Sequence, residues 1–146
     1  MYNTLSERQI IDDFKGSIHC SQIVLRECAE DLGYDREEAA RMAAPFGAGM
    51  FHGDTCGAVC GAMIAIGMRY GHDQHGDTEG NARMLEKVAE FQEKFIACHG
   101  STICRDLLGY DYAVEGEFQK ALEAGAVFER CPHFVKAALA ILDEIL

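Results

Sequence analysis

The chain has 146 residues, of which 49% are hydrophobic and 25% charged, which fits one globular domain over residues 1–146 and excludes a disordered chain. A formal net charge of −11, with 13 Lys and Arg against 24 Asp and Glu, excludes nucleic acid and anionic membrane as partners, because both are held by clustered basic side chains. The longest apolar run, Gly57–Met68, is about twelve residues where a bilayer span takes roughly twenty, and "MYNTLSERQIIDDFKG" lacks the pattern of a signal peptide, so a cytoplasmic location is expected.

Nearly every periodic segment is helical, and alternating strand patterns are missing. The expected fold is all-α: a compact bundle of about five to six helices around a central, buried, glycine-rich helix. The first helix is expected over Ile18–Leu32, with Ser17 as N-cap, Gly33 as stop, and Val24, Leu25, Cys28 and Leu32 on one face. A short helix follows over Arg36–Ala44, ended by Pro45. "PFGAGMFHGD" then reads as a loop. Its Gly47, Gly49 and Gly53 permit positive φ or a close approach to another backbone.

The next helix is expected from Asp54 or Thr55 to Tyr70–Gly71, apolar nearly all round and therefore buried. Gly57 and Gly61 inside it each cost roughly 1 kcal/mol against alanine. Close helix packing or room for a bulky group would offset that. "GHDQHGDTEG" is a polar loop, and its His72 and His75, beside Asp73 and Asp77, read as solvated. A long helix follows over Glu79–Cys98, with Met84, Val88, Phe91 and Phe95 on its buried face and Gly100 as stop. A short helix in "STICRDLLG" is capped by Ser101 or Thr102 and stopped by Gly109, and a weaker one covers Gly116–Ala124. The last helix runs from Pro132 to the end, burying Phe134, Ala138, Ile141 and Ile145.

Seven cysteines are an odd number, so they cannot all pair within one chain, and a reducing compartment favours metal binding or redox chemistry over structural disulfides. On the expected helices, Cys20, Cys56, Cys104 and Cys131 fall at or within the first turn of four different elements. A helix N-terminus carries partial positive charge and free N–H groups, and both favour the thiolate, which is the nucleophile and the metal ligand. Cys28 and Cys98 read as small core hydrophobes.

Cys60 stands one turn after Cys56, so the pair is suited to joint metal ligation but not to a disulfide within a regular helix. A core role for Cys60 is the favoured reading, with ligation the lesser alternative. No C-x2-C zinc pattern, nucleophile–base order, P-loop or G-x-G-x-x-G is present. Among the six histidines, His52, in the loop before the Cys56 helix, is the best placed to meet a sulfur, while His19, His99 and His133 are near cysteines only in sequence.

The segments "CSQIVL" at Cys20, "FGAGMFHGDTCGAVCGA" around Cys56, "CRDLLG" at Cys104 and "CPHFVKAAL" at Cys131 resemble the C_GCAxxG_C_C family, described as putative redox-active proteins, over roughly residues 16–140. Where the family label has Gly-Cys-Ala, this chain has Thr55-Cys56-Gly57-Ala58, with Gly61 still in step and Cys60 in a position the label leaves free. The family is named for four cysteines, and a similar domain accompanies an iron–sulfur centre in split-Soret cytochromes. The resemblance thus implies Cys20, Cys56, Cys104 and Cys131 as cluster ligands, with Cys60 as a further metal-ligand candidate.

Three readings stand. One is an iron–sulfur or other thiolate-ligated metal protein that transfers electrons to a partner protein, in one chain or as a homodimer sharing the cluster. Another is a metal-free thiol–disulfide redox protein. The third is a structural zinc protein or a plain interaction bundle.

Overall fold

A computed structural model describes residues 1–146. It contains eight α-helices: α1 (Glu7–Lys15), α2 (Cys20–Ala29), α3 (Arg36–Ala43), α4 (Gly57–Tyr70), α5 (Thr78–His99), α6 (Cys104–Leu108), α7 (Glu117–Glu123) and α8 (Ala126–Ile145). The fold is all-α, but with more helices than the five to six expected.

The unexpected element is α1. Only Ile10, Ile11 and Phe14 give it an apolar face, and Ile10 alone is fully buried. A capping box starts it instead: Ser6 Oγ accepts from the Gln9 N–H at 3.2 Å, and Gln9 Oε1 accepts from the Ser6 N–H at 2.8 Å. Arg26 of α2 then holds Asp13 of α1 at 2.7 Å.

Four starts differ from the sequence reading. α4 begins at Gly57 with Cys56 in the cap position, not at Asp54 or Thr55, and α6 is preceded by Ile103, not Ser101 or Thr102, in the cap position. Ser17 is not a cap. It lies at φ +67° in the turn after α1, and α2 begins at Cys20 with His19 in the cap position. α8 begins at Ala126 rather than at Pro132, so Pro132 lies inside the helix. Without an N–H, Pro132 cannot bond the carbonyl of Phe128, one turn back. α2 also ends at Ala29, three residues before the expected Leu32. Elsewhere Gly100 and Gly109 adopt left-handed conformations after α5 and α6 as expected, and α3 and α7 lie within the segments assigned to them.

Helix α4 packs against α2, α3, α5 and α8. Its residues Ala58, Val59, Ala62, Ala65 and Ile66 are buried. The expectation of burial all round is too strong, since Met63, Ile64 and Met68 are half-buried and Gly67 is exposed. Gly61 sets the approach of α2: a methyl group there would stand 2.6 Å from the Ser21 carbonyl oxygen and 3.1 Å from Val24 Cβ. Phe91 and Phe95 of α5 stack at 5.9 Å between ring centres and continue to Phe134 of α8. No helix is long and apolar enough to cross a membrane.

The segment between α3 and α4 departs furthest from regular structure. A 3-10 turn at Ala44–Phe46 is followed by four consecutive residues in the left-handed region, Ala48 (φ 50°), Gly49 (φ 63°), Met50 (φ 60°) and Phe51 (φ 54°). Left-handed helical backbone costs roughly 1–2 kcal/mol for each non-glycine residue. Such strain persists only where surrounding contacts enforce it, and here the turn closes through the Asp54 N–H bonded to the Gly49 carbonyl at 3.0 Å.

Candidate functional site

Cys20, Cys56, Cys104 and Cys131 come from separate segments and line one cavity of about 280 Å³. Each is positioned by a different local device. Cys20 is the first residue of α2, and Cys56 is the N-cap of α4. Cys104 is the first residue of α6, whereas Cys131 is the sixth residue of α8 and so not at a helix start.

Cys56 and Cys104 are joined by a single antiparallel bridge, Thr55 to Ile103. The Cys56 N–H donates to the Thr102 carbonyl at 2.7 Å and the Cys104 N–H to the Asp54 carbonyl at 2.6 Å. Residues flanking a bridged pair point to the face opposite it, so both cysteines project to the same side. Arg105 clamps the junction, donating to the Gly53 carbonyl at 3.2 Å and to Asp54 Oδ1 at 3.1 Å.

The glycines make room for this arrangement. A methyl group on Gly57 would collide with Cys20 Sγ, and it would also stand 2.9 Å from the Phe46 carbonyl oxygen. One on Gly49 would stand 2.8 Å from Cys104 Cβ and 2.5 Å from the Asp54 nitrogen. One on Gly47 would stand 2.6 Å from His19 Cβ. The strained turn therefore lies against the backbone that carries three of the four thiols.

Burial governs the state of these sulfurs. It raises the pKa of all four thiols, Cys104 to about 12. Backbone amides oppose it as the helix-start argument requires: those of Ala48, Ser21 and Ala58 act on Cys20, and those of Val59 and Ala58 on Cys56. Burial is the larger effect. After it, the thiols raise one another: Cys131 is pushed up by Cys20, Cys56 and Cys104. The expectation of low-pKa thiolates at helix starts is therefore reversed in the metal-free chain, because the cavity wall is apolar and contains no Lys or Arg.

The three remaining cysteines do not line the cavity. Cys60 is half-buried, and its Sγ points to the Thr55 carbonyl at 3.6 Å; it is nonetheless a neighbour of the group, since burial and then Cys20 push its pKa up to about 11. Cys28 is fully buried, in keeping with a core role. Cys98 is exposed, contrary to its reading as a core residue, because α5 presents it to solvent in the last turn. His52 is exposed and not in the cavity wall. His19 is the histidine that lines it, set edge-on to Phe51 at 4.9 Å.

Sequence reasoning missed Tyr112, a half-buried wall residue whose pKa is raised by burial and then by Cys131, Cys104 and Cys20. Its segment, between α6 and α7, has no helical periodicity to signal it. No group of three or more His, Cys, Asp or Glu side chains is arranged around the position of a single metal ion.

The reactivity of the thiols follows from this placement. In metal-free protein at neutral pH, brief iodoacetamide pulses followed by peptide mass mapping are expected to label Cys98 first. Cys28, buried and pushed up to about 12, is expected last, with the four cavity cysteines slow. Labelling of Cys56 as fast as Cys98 would show that the cavity is open and wet.

The fold and the site define an all-α protein in which four cysteines from separate segments line a common cavity. The model of the family Putative redox-active protein (C_GCAxxG_C_C) matches residues 18–145, and the chain belongs to that family. No curated protein and no solved structure matches the chain.

Proposed function

We propose that this chain is an electron-transfer protein in which Cys20, Cys56, Cys104 and Cys131 hold an iron–sulfur cluster in the cavity and exchange electrons with a partner protein. The observation that carries the reading is the convergence of four thiols, distant in sequence, on one cavity. Four cysteine thiolates are the common ligand set of such clusters. One chain supplies all four, so the reading needs no second copy.

Charge balance supports this reading over the alternatives. The starts of α2 and α4 supply roughly half a positive charge each, about one together. Four thiolates would carry four negative charges in a wall without Lys or Arg. A cationic iron core offsets the difference, and without one the sulfurs keep their protons. Metal-free thiol exchange requires a thiolate, so the raised pKa values weigh against it. A zinc ion requires its donors around one point, about 2.3 Å from each sulfur. That no group of side chains is arranged to hold a single ion weighs against zinc. When bound, the cluster supplies a one-electron redox centre. The chain's own residues hold it, direct the Ala58 and Val59 amides towards sulfur, and keep water away with an apolar wall.

The test is anaerobic purification followed by iron, zinc and acid-labile sulfide analysis. Iron and sulfide in near-equal amounts, with broad visible absorption, are expected. A colourless protein without sulfide, or one containing zinc alone, would overturn the reading.

A further inference from the structure

The cavity extends well beyond its thiols. On α8, Val127, Phe128, Cys131 and Phe134 all face it. Residues 127 and 134 are about 10 Å apart along a helix rising 1.5 Å per residue. Cys131 lies between them, so about one helical turn of wall continues past its sulfur towards Val127 and Phe128. Lys15, at the end of α1, stands over the Phe128 ring at 5.9 Å, which places the α1 terminus at that outer end. Phe14, Ile18 and Leu122 continue that wall, and Phe118, edge-on to Tyr112 at 5.0 Å, joins it to the thiol end. Phe118 is 42% exposed and marks a mouth open to solvent.

The outer half has a definite chemistry. Four of the chain's eight phenylalanines line the cavity, and no Lys, Arg, Asp or Glu does. A charged ligand would lose its hydration there, and the nearest cation, Lys15, stands across the Phe128 ring and is not part of the wall. A flat aromatic ring would meet ring faces and edges. Size sets the limit: an apolar protein cavity of about 150 Å³ takes up benzene, and this one is about 280 Å³. One ring therefore fills roughly half of it and leaves the thiol end free.

We propose that the outer half of the cavity binds an uncharged single-ring aromatic molecule, seated between Leu122, Val127 and Phe128 and next to Cys131. The inference deepens the electron-transfer reading, because it places a small aromatic ligand beside the proposed centre. The binding itself does not require a cluster.

Fluorine NMR titration of the purified protein with 4-fluorobenzyl alcohol tests it, with 4-fluorobenzoate as the charged counterpart and iron and sulfide measured on the same samples. The alcohol is expected to give a saturable shift, with the benzoate at least tenfold weaker. Leu122→Trp, which fills the outer half, is expected to weaken alcohol binding at least tenfold without changing iron or sulfide content. Val127→Phe serves the same purpose should Leu122→Trp fail to give a native circular dichroism spectrum. Equal binding of the two probes, or wild-type affinity in a folded cavity-filling variant, overturns the proposal. Loss of iron alone, with selective alcohol binding retained, sinks the cluster reading and leaves this one standing.

Discussion

Cys56→Ser is expected to abolish iron binding, whereas Cys60→Ser, one helical turn away, leaves it at the wild-type level. The contrast is sharp because both residues sit in the same glycine-rich segment and only one reaches the cavity. Cys56 is the N-cap of α4, buried, and fixed by its N–H bond to Thr102. Cys60 turns back to the Thr55 carbonyl and lies outside the cavity wall. Cys20→Ser, Cys104→Ser and Cys131→Ser are expected to behave like Cys56→Ser. Cys28→Ser and Cys98→Ser should retain iron, although Cys28→Ser places a hydroxyl in a fully buried site and should lower the melting temperature. Iron and sulfide per chain, measured after anaerobic purification of each variant, decide the matter. Iron retained by Cys56→Ser, or lost in Cys60→Ser, would assign the ligands wrongly.

The long helices were legible because their signals are local and redundant. In α5 the 3- and 4-residue spacing of Met84, Val88, Phe91 and Phe95 agrees with the left-handed Gly100 that ends it. α1 escaped notice because its evidence is a cap rather than a face: Ser6 and Gln9 form a reciprocal pair, but the apolar positions behind them are few. The start of α8 was misplaced because proline is favoured in a first turn. Here Pro132 is fully buried six residues into the helix, and tertiary packing overrides the local preference.

The site divides in the same way. That four thiols converge could be anticipated from their common placement near helix starts, even though Cys131 reached the cavity from a helix interior. Their protonation could not. Helix-end amides are visible in sequence, whereas the apolar wall that outweighs them is assembled from Phe14, Leu107, Tyr112, Phe128 and others across the chain. The preference for His52 over His19 failed for a related reason. The left-handed turn at Ala48–Phe51 rotates His52 outward, and no rule of periodicity anticipates three non-glycine residues in that conformation.

Three glycines of α4 provide a test of the packing, because a methyl group meets different surroundings at each. Gly57→Ala drives a methyl into Cys20 Sγ and the backbone of Phe46 and Gly47. Cys20 can escape only by leaving its position at the cavity, so both stability and iron content should fall. Gly61→Ala presses on the Ser21 carbonyl and Val24, which separates α2 from α4. Overpacking of this kind costs about 1–3 kcal/mol, and its effect on iron should be smaller because no sulfur is struck. Gly67→Ala meets nothing within 4 Å on an exposed face. It should stabilise the protein by about 1 kcal/mol through helix propensity alone. Chemical denaturation of the three variants with iron content measured beside it separates the effects. The ordering requires Gly67→Ala above wild type, both others below it, and Gly57→Ala lowest in iron. A neutral Gly57→Ala would mean that Cys20 does not rest against the start of α4, and the shared placement of the thiols would lose its main steric support.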